Sequence, residues 1–306
     1  MEDSRRPAAG SRQVGRAHPD CGVCCQLRAA CCSMSIRKAA VAGTWYPGTR
    51  ELLRAEVDGH LGRATVECAG DVSAIIAPHA GLHYSGPVAA YAYKLLDGRR
   101  YDVAVLVGPS HYVGFDGVAV YERGAFETPC GPVPIADQCA AAIAMAASSV
   151  RHRPSAHVRE HSLEMQLPFL QRVLPDTPIV PLVMGYQTRD TILNLSQGLT
   201  AGLSGRRALL VASTDLSHYH DADTAARLDG EVIKHVRAFD AEGLLAALEG
   251  FPHHACGGGP TVSVMQAARA LGARDARILK YADSGDVSGD KASVVGYLAA
   301  ALGNFD

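Results

Sequence analysis

Three apolar runs in this chain each stop at a turn that carries a histidine. Residues 74–77 lead into Pro78-His79, and residues 103–107 lead into Gly108-Pro109-Ser110-His111. Residues 209–212 lead into Ser213-Thr214-Asp215-Leu216-Ser217-His218. Short apolar runs rich in β-branched residues and bounded by turn residues predict buried strands. Helical spacing comes after each of them. The pattern predicts helices over 50–62, 87–96, 136–147, 161–173, 188–203, 222–239, 241–248 and 260–271. Pro87 stands near a helix start, where proline is favoured, and Pro168 is expected to bend the 161–173 helix. Further strands are predicted over 118–121, 131–135, 179–184, 278–282 and 293–299. Glycines at 43 and 48 mark a turn, as does the Gly/Ser-rich stretch 81–86. Strands that alternate with helices in this way imply a three-layer α/β/α sandwich around a mostly parallel or mixed sheet.

Composition adds limits. At 306 residues, 48% hydrophobic and 20% charged, the chain can bury one large core, and no repeat or composition break divides it. The formal net charge of −2 argues against binding nucleic acid through phosphate contacts. No apolar stretch approaches the roughly 20 residues that cross a bilayer. Folded structure is expected to begin near Ile36, with a single domain over 34–306. Residues 1–33, which crowd Cys21, Cys24, Cys25, Cys31 and Cys32, read as a disordered tail or as sequence upstream of a true start at Met34. Arg5-Arg6 is followed by no apolar segment, so it does not read as an export signal. Cys68, Cys130, Cys139 and Cys256 form no disulfide framework, which fits a reducing cytoplasm.

In open α/β sheets ligands bind beyond the carboxyl ends of the strands. Histidines placed there can meet although they are far apart in sequence. His79 and His111 each suit a ligand, or a strand cap that bonds to backbone. Asp215 and His218 have a spacing that suits an acid–base pair, and Asp215 or Ser217 equally suits a helix N-cap. Cys256 opens Gly257-Gly258-Gly259-Pro260 at a helix entrance, which favours a thiolate nucleophile or metal ligand. A small buried hydrophobe is the plainer alternative. On the predicted 161–173 helix, Glu160 and Glu164 would share a face with His161 beside Glu164. They would form a polar layer behind the site, or an acidic first turn that complements the helix dipole.

These residues together resemble the Memo family and, more distantly, the class III extradiol ring-cleaving dioxygenases. The resemblance rests on Ala42-Gly43-Thr44-Trp45-Tyr46, Ile76-Ala77-Pro78-His79-Ala80-Gly81, Gly108-Pro109-Ser110-His111, Glu160-His161-Ser162-Leu163-Glu164-Met165, Ser213-Thr214-Asp215-Leu216-Ser217-His218 and Cys256-Gly257. It runs from about Ile36 to the C-terminus. It implies His79, His111 and Cys256 as metal ligands, and Asp215 with His218 as the acid–base pair. It also implies a module shared with an AMMECR1-like protein and a radical-SAM protein. The dioxygenases hold iron(II) with two histidines and a glutamate, whereas Cys256 stands at the carboxylate's place here. A thiolate favours zinc or copper(I) more than a carboxylate does.

Three functions stand as expectations. The first is a mononuclear iron(II) redox enzyme that acts on a small molecule, with His218 as general base. The second is a zinc hydrolase, since three protein ligands and a water are the usual catalytic zinc arrangement. The third is a non-catalytic metal- or peptide-binding component of an assembly.

Overall fold

Adjacent residues in the central strands pack into two different cores, and this alternation defines the architecture. The computed structural model describes residues 35–67 and 70–306. The readings made for residues 1–33 and for Cys68 lie outside the described residues. In chain order the strands are β1 (Ile36–Arg37), β2 (Gly70–Ala77), β3 (Val103–Pro109), β4 (Val118–Val120), β5 (Ala125–Thr128), β6 (Gly131–Pro134), β7 (Val150–His152), β8 (Ile179–Met184), β9 (Ala208–Ser213), β10 (His218–His220), β11 (Asp275–Asp283) and β12 (Val294–Phe305). The helices are α1 (Arg50–Arg63), α2 (Leu82–Lys94), α3 (Asp137–Ala146), α4 (Leu167–Val173), α5 (Arg189–Gly202), α6 (Ala222–Arg237), α7 (Ala241–Gly250), α8 (Gly258–Ala270) and the short α9 (Gly285–Ser288).

The large sheet runs β10-β12-β2-β9-β3-β8-β4-β7, with β11 also paired to β12. Its centre, β2-β9-β3-β8, is parallel, and β12 and β4 are antiparallel to their inner neighbours β2 and β8. On one face Ile75, Ala104, Leu106 and Val211 join Leu53 and Val57 of α1, Tyr93 of α2 and Phe169 of α4. On the other, Ile76, Val105, Val107 and Ala212 join Ile143 of α3, Leu195 of α5, Val236 of α6, Leu245 of α7 and Val262 of α8. Side chains alternate across a strand, so these two clusters are the two helical layers of an α/β/α sandwich over a mixed sheet. A smaller sheet, β1-β5-β6, lies outside this path. Among the described residues no helix is long and apolar enough to cross a membrane.

Two helix starts differ from the sequence expectation. Helix α2 begins at Leu82, so Pro87 lies inside it. A proline's missing N–H would have bonded four residues back, here to the carbonyl of exposed His83, where water can replace it. Gly86 explains the glycine in this turn, because a Cβ there would lie 2.7 Å from the His60 ring of α1. Residues 161–163 are not helical. A 3-10 turn, Glu164–Gln166, leads into α4, and Pro168 sits in its first turn instead of bending it. Glu160 and Glu164 therefore share no helix face.

Burial of His157 makes stability depend on pH. Its Nε2–H donates to the Ala119 carbonyl at 3.2 Å. Burial, then the nearby Arg37 charge, lowers its pKa to about 3. Between about pH 6.5 and pH 3 the unfolded chain takes up a proton here that the folded chain refuses. Stability therefore falls with acidification, at about 1.4 kcal/mol per pH unit for one proton. His157→Gln can still donate to Ala119, and urea unfolding across this range should show its slope reduced by about one proton. Parallel curves for the two proteins would contradict the assignment.

Candidate metal centre

Strand order brings the histidine turns together. Strand β9 lies between β2 and β3 and pairs with both, Ala77 opposite Ser213 and Val107 opposite Ala212. The turn after β2 carries His79 and the turn after β3 carries His111. Ser213 and Asp215, at the end of β9, lie between them. Cys256 arrives from the other direction, two residues before α8, where its N–H donates to the Asp215 carbonyl at 3.2 Å. One ligand atom from each of His79, His111 and Cys256 lies within 4.8 Å of the other two. His79 Nε2 and Cys256 Sγ are 3.2 Å apart.

Hydrogen bonds fix which ring nitrogens are available. Tyr93 donates its hydroxyl to Gln166 Oε1 at 2.7 Å, so the Gln166 amide nitrogen faces Pro78 O and Ser213 Oγ. Ser213 gives its own hydroxyl proton to the Ser162 carbonyl at 2.7 Å. Ser213 Oγ can then only accept from His79 Nδ1, 2.9 Å away. His79 is thus protonated at Nδ1, and its Nε2 lone pair is free toward Cys256. His111 reaches the same state through Glu160, whose Oε1 accepts from His111 Nδ1 at 2.9 Å. A bond at the other ring nitrogen that fixes the tautomer is what metal-binding histidines require.

Glu160 belongs to this support and is not itself a free ligand, although it lies close to His111 and His161. Its Oε2 accepts from the His111 backbone N–H at 2.6 Å, and its Oε1 also accepts from the N–H groups of His161 and Ser162 at 2.9 Å each. Burial alone would raise its pKa, but the bonds from His111 and Ser162 override this and lower it to about 2. Glu164 points elsewhere. It is fully buried and accepts from Arg37, from Ala40 and Val41 N–H at 2.8 and 3.1 Å, and from the Tyr46 hydroxyl at 2.5 Å. It anchors the segment that delivers Trp45. Residue Trp45 packs its ring 4.2 Å from that of His161, which in turn stacks 4.4 Å from His111 at 18°.

Burial disfavours charge on His79, Cys256 and Asp215. Burial, then the neighbouring His111, lowers the pKa of His79 well below the usual imidazole value. Burial, then Asp215, pushes the Cys256 thiol up. Burial also raises Asp215 to about 6 against the pull of its hydrogen bond from His79. That bond, His79 N–H to Oδ1 at 2.7 Å, is what the carboxylate does. Among the described residues no hydrogen bond joins Asp215 to His218. His218 is half-buried at the start of β10. His111 is the outermost of the three candidate ligands, its side chain 27% exposed against 1% for residue His79, so the site opens on its side.

Sequence motifs alone do not single out Ser213, Gln166 or Gln187. Gln187 donates to the Cys256 carbonyl and accepts from Gly259 N–H, both at 2.7 Å, and so holds the cysteine turn. Ser213 is legible as a polar residue at the end of an apolar strand beside the Asp215 motif. Gln166 and Gln187 carry no local signal, because their partners are distant in sequence.

The sequence model of the family described as "Memo-like protein" matches residues 37–301. A MEMO1 family protein of Methanothermobacter thermautotrophicus is 36% identical over 272 residues, which covers 86% of this chain and 98% of that protein. One from Methanopyrus kandleri is 37% identical and covers 86% and 97%, respectively. One from Pyrobaculum aerophilum is 38% identical and covers 86% and 98%. With the family match spanning most of its length, the chain belongs to the Memo-like protein family.

Proposed function

We propose that this chain is a metal-dependent enzyme that holds one ion, iron(II), between His79, His111 and Cys256 and carries out redox chemistry on a small molecule. The observation that supports this reading is the convergence of two Nδ1-anchored imidazoles and a thiol on one point with one open side. The donor set fits a single ion: two Nε2 lone pairs are free, and Asp215 N–H lies 3.3 Å from Cys256 Sγ, where it favours the thiolate. Bound there with open positions, iron(II) would supply Lewis acidity and one-electron chemistry. The chain's own residues do the rest. His111 and the Trp45–His161 pair form the wall past which a substrate enters. His218 accepts or donates the proton at its imidazole, and Asp215 lends negative charge beside it while holding the His79 turn.

A positioned base typically contributes about 10²–10⁴-fold in rate. His218→Ala is therefore expected to lower oxygen consumption by the iron-loaded protein by about that factor, with metal content unchanged. Asp215→Asn should lose less. Full activity in His218→Ala, or loss of its metal, would contradict the role.

The thiol favours a second reading, a zinc hydrolase, because it is softer than a carboxylate and suits zinc. Zinc in protein purified anaerobically, with no oxygen consumed, would select it. The reading also sets the chain in a reducing cytoplasm beside AMMECR1-like and radical-SAM proteins. Co-purification with either, and its survival in His218→Ala, would separate an assembly role from catalysis.

A further inference from the structure

We infer that Asp229 is the positioning residue for His218, because its carboxylate on α6 grips the N–H of Ser217, the residue just before His218, while Tyr281 of β11 holds its other oxygen. The inference rests on the proposal that His218 moves a proton. Asp229 is fully buried. Its Oδ1 accepts from Ser217 N–H at 2.9 Å and its Oδ2 accepts from the Tyr281 hydroxyl at 2.7 Å. Strand β12 closes the other side. Leu216 N–H donates to the Gly296 carbonyl at 2.8 Å, and Gly296 N–H donates to the Ser217 carbonyl at 3.0 Å. Gly296 has to be glycine, since a Cβ there would lie 1.9 Å from Asp229 Oδ2. The turn that carries His218 is therefore fixed from two elements, α6 and β12, with β11 bracing Asp229.

The backbone just after His218 explains why so firm a hold is needed. Tyr219 has φ +62°, one of two non-glycine residues with positive φ among those described. Its side chain is exposed, and β10 shifts register against β12 at this point. Such a backbone persists only where its surroundings over-determine it. The Tyr219 ring lies edge-on to the neighbouring His218 ring, centroids 5.6 Å apart, and the grip on Ser217 fixes the backbone that enters this turn. A buried carboxylate is a costly way to meet one N–H and one hydroxyl. Here it fixes the backbone from which the half-buried His218 side chain emerges.

Ring-nitrogen NMR of His218 in the full-length, zinc-loaded protein reads this directly and needs no substrate. Asp229→Ala should replace the single set of His218 signals by broadened, averaged ones, with metal content unchanged. Oxygen consumption of the iron-loaded form should fall by about 10²-fold, the scale for a misplaced group. Asp229→Asn keeps an acceptor for Ser217 and a donor for the Tyr281 oxygen, and should restore the wild-type signals. Tyr281→Phe should lower thermal stability yet leave His218 unmoved. If alanine does not fold, Asp229→Leu keeps the volume and removes the same acceptor. Wild-type His218 signals in a folded Ala or Leu variant would overturn the inference, as would scrambled signals in Asp229→Asn. Unchanged activity in His218→Ala would instead strike the proposed function, and the NMR result would stand apart from it.

Discussion

Alanine at His79 should abolish metal binding at the proposed centre while leaving the protein folded. The residue lies in the turn after β2, its ring faces Cys256 Sγ at 3.2 Å, and its Nε2 has no proton to give. Removal leaves one imidazole and one thiol, which is too few donors to hold an ion at micromolar concentration. His111→Ala and Cys256→Ala should do the same. The supporting residues should give a graded result. Ser213→Ala removes the acceptor that fixes the His79 tautomer, and Glu160→Gln weakens the one that fixes His111. Changes of that kind typically cost about 10–100-fold in metal affinity. Metal content by elemental analysis, with circular dichroism to confirm folding, checks both tiers. Full occupancy in all three ligand variants would show that the ion sits elsewhere.

Arg37→Ala should be the most destabilising single change outside the proposed metal centre. The guanidinium spends every arm inside the protein. It donates to the His157 carbonyl at 2.9 Å, to the Glu160 carbonyl and to the Glu164 carboxylate. Arg37 is 4% exposed and Glu164 is fully buried. Breaking a buried pair from one side leaves an uncompensated charge and costs about 3–5 kcal/mol. That is a large share of the roughly 5–15 kcal/mol that holds a domain folded. Arg37→Lys keeps the charge but loses the fork, and should fall between. The pair Arg37→Met with Glu164→Gln should recover part of the loss, because no ion is then buried alone. Urea unfolding measures all three. A cost below about 1 kcal/mol for Arg37→Ala, the level of an exposed pair, would contradict the picture.

The central strands and most helices are legible in the sequence because their patterns are local. Residues 179–184 read as a strand and form β8, and α1 differs from its predicted span by one residue. The turns after β2 and β3 show His79 and His111, and the cysteine turn shows Cys256. Their convergence comes from β9 lying between β2 and β3, an order that no local pattern encodes. Short β5, β7 and β10 escape a sequence reading, since three or four residues carry too little periodicity and owe their form to their neighbours. Strand β12 runs to Phe305, beyond the predicted 299, because it is paired on both sides by β2 and β11. Glu160 and Glu164 read as one helical face. They diverge because each is claimed by a distant partner, His111 for one and Arg37 for the other. Asp215 reads as His218's partner, yet its carboxylate is taken by the nearer backbone N–H of His79.

The proposed centre is one metal ion on two imidazoles and a single thiolate. X-ray absorption at the metal edge of protein purified without oxygen tests it most directly. The expected result is an iron edge and a shell with nitrogen donors and one sulfur, the sulfur absent in Cys256→Ser. A wild-type shell with no sulfur, or one unchanged by that substitution, would contradict it.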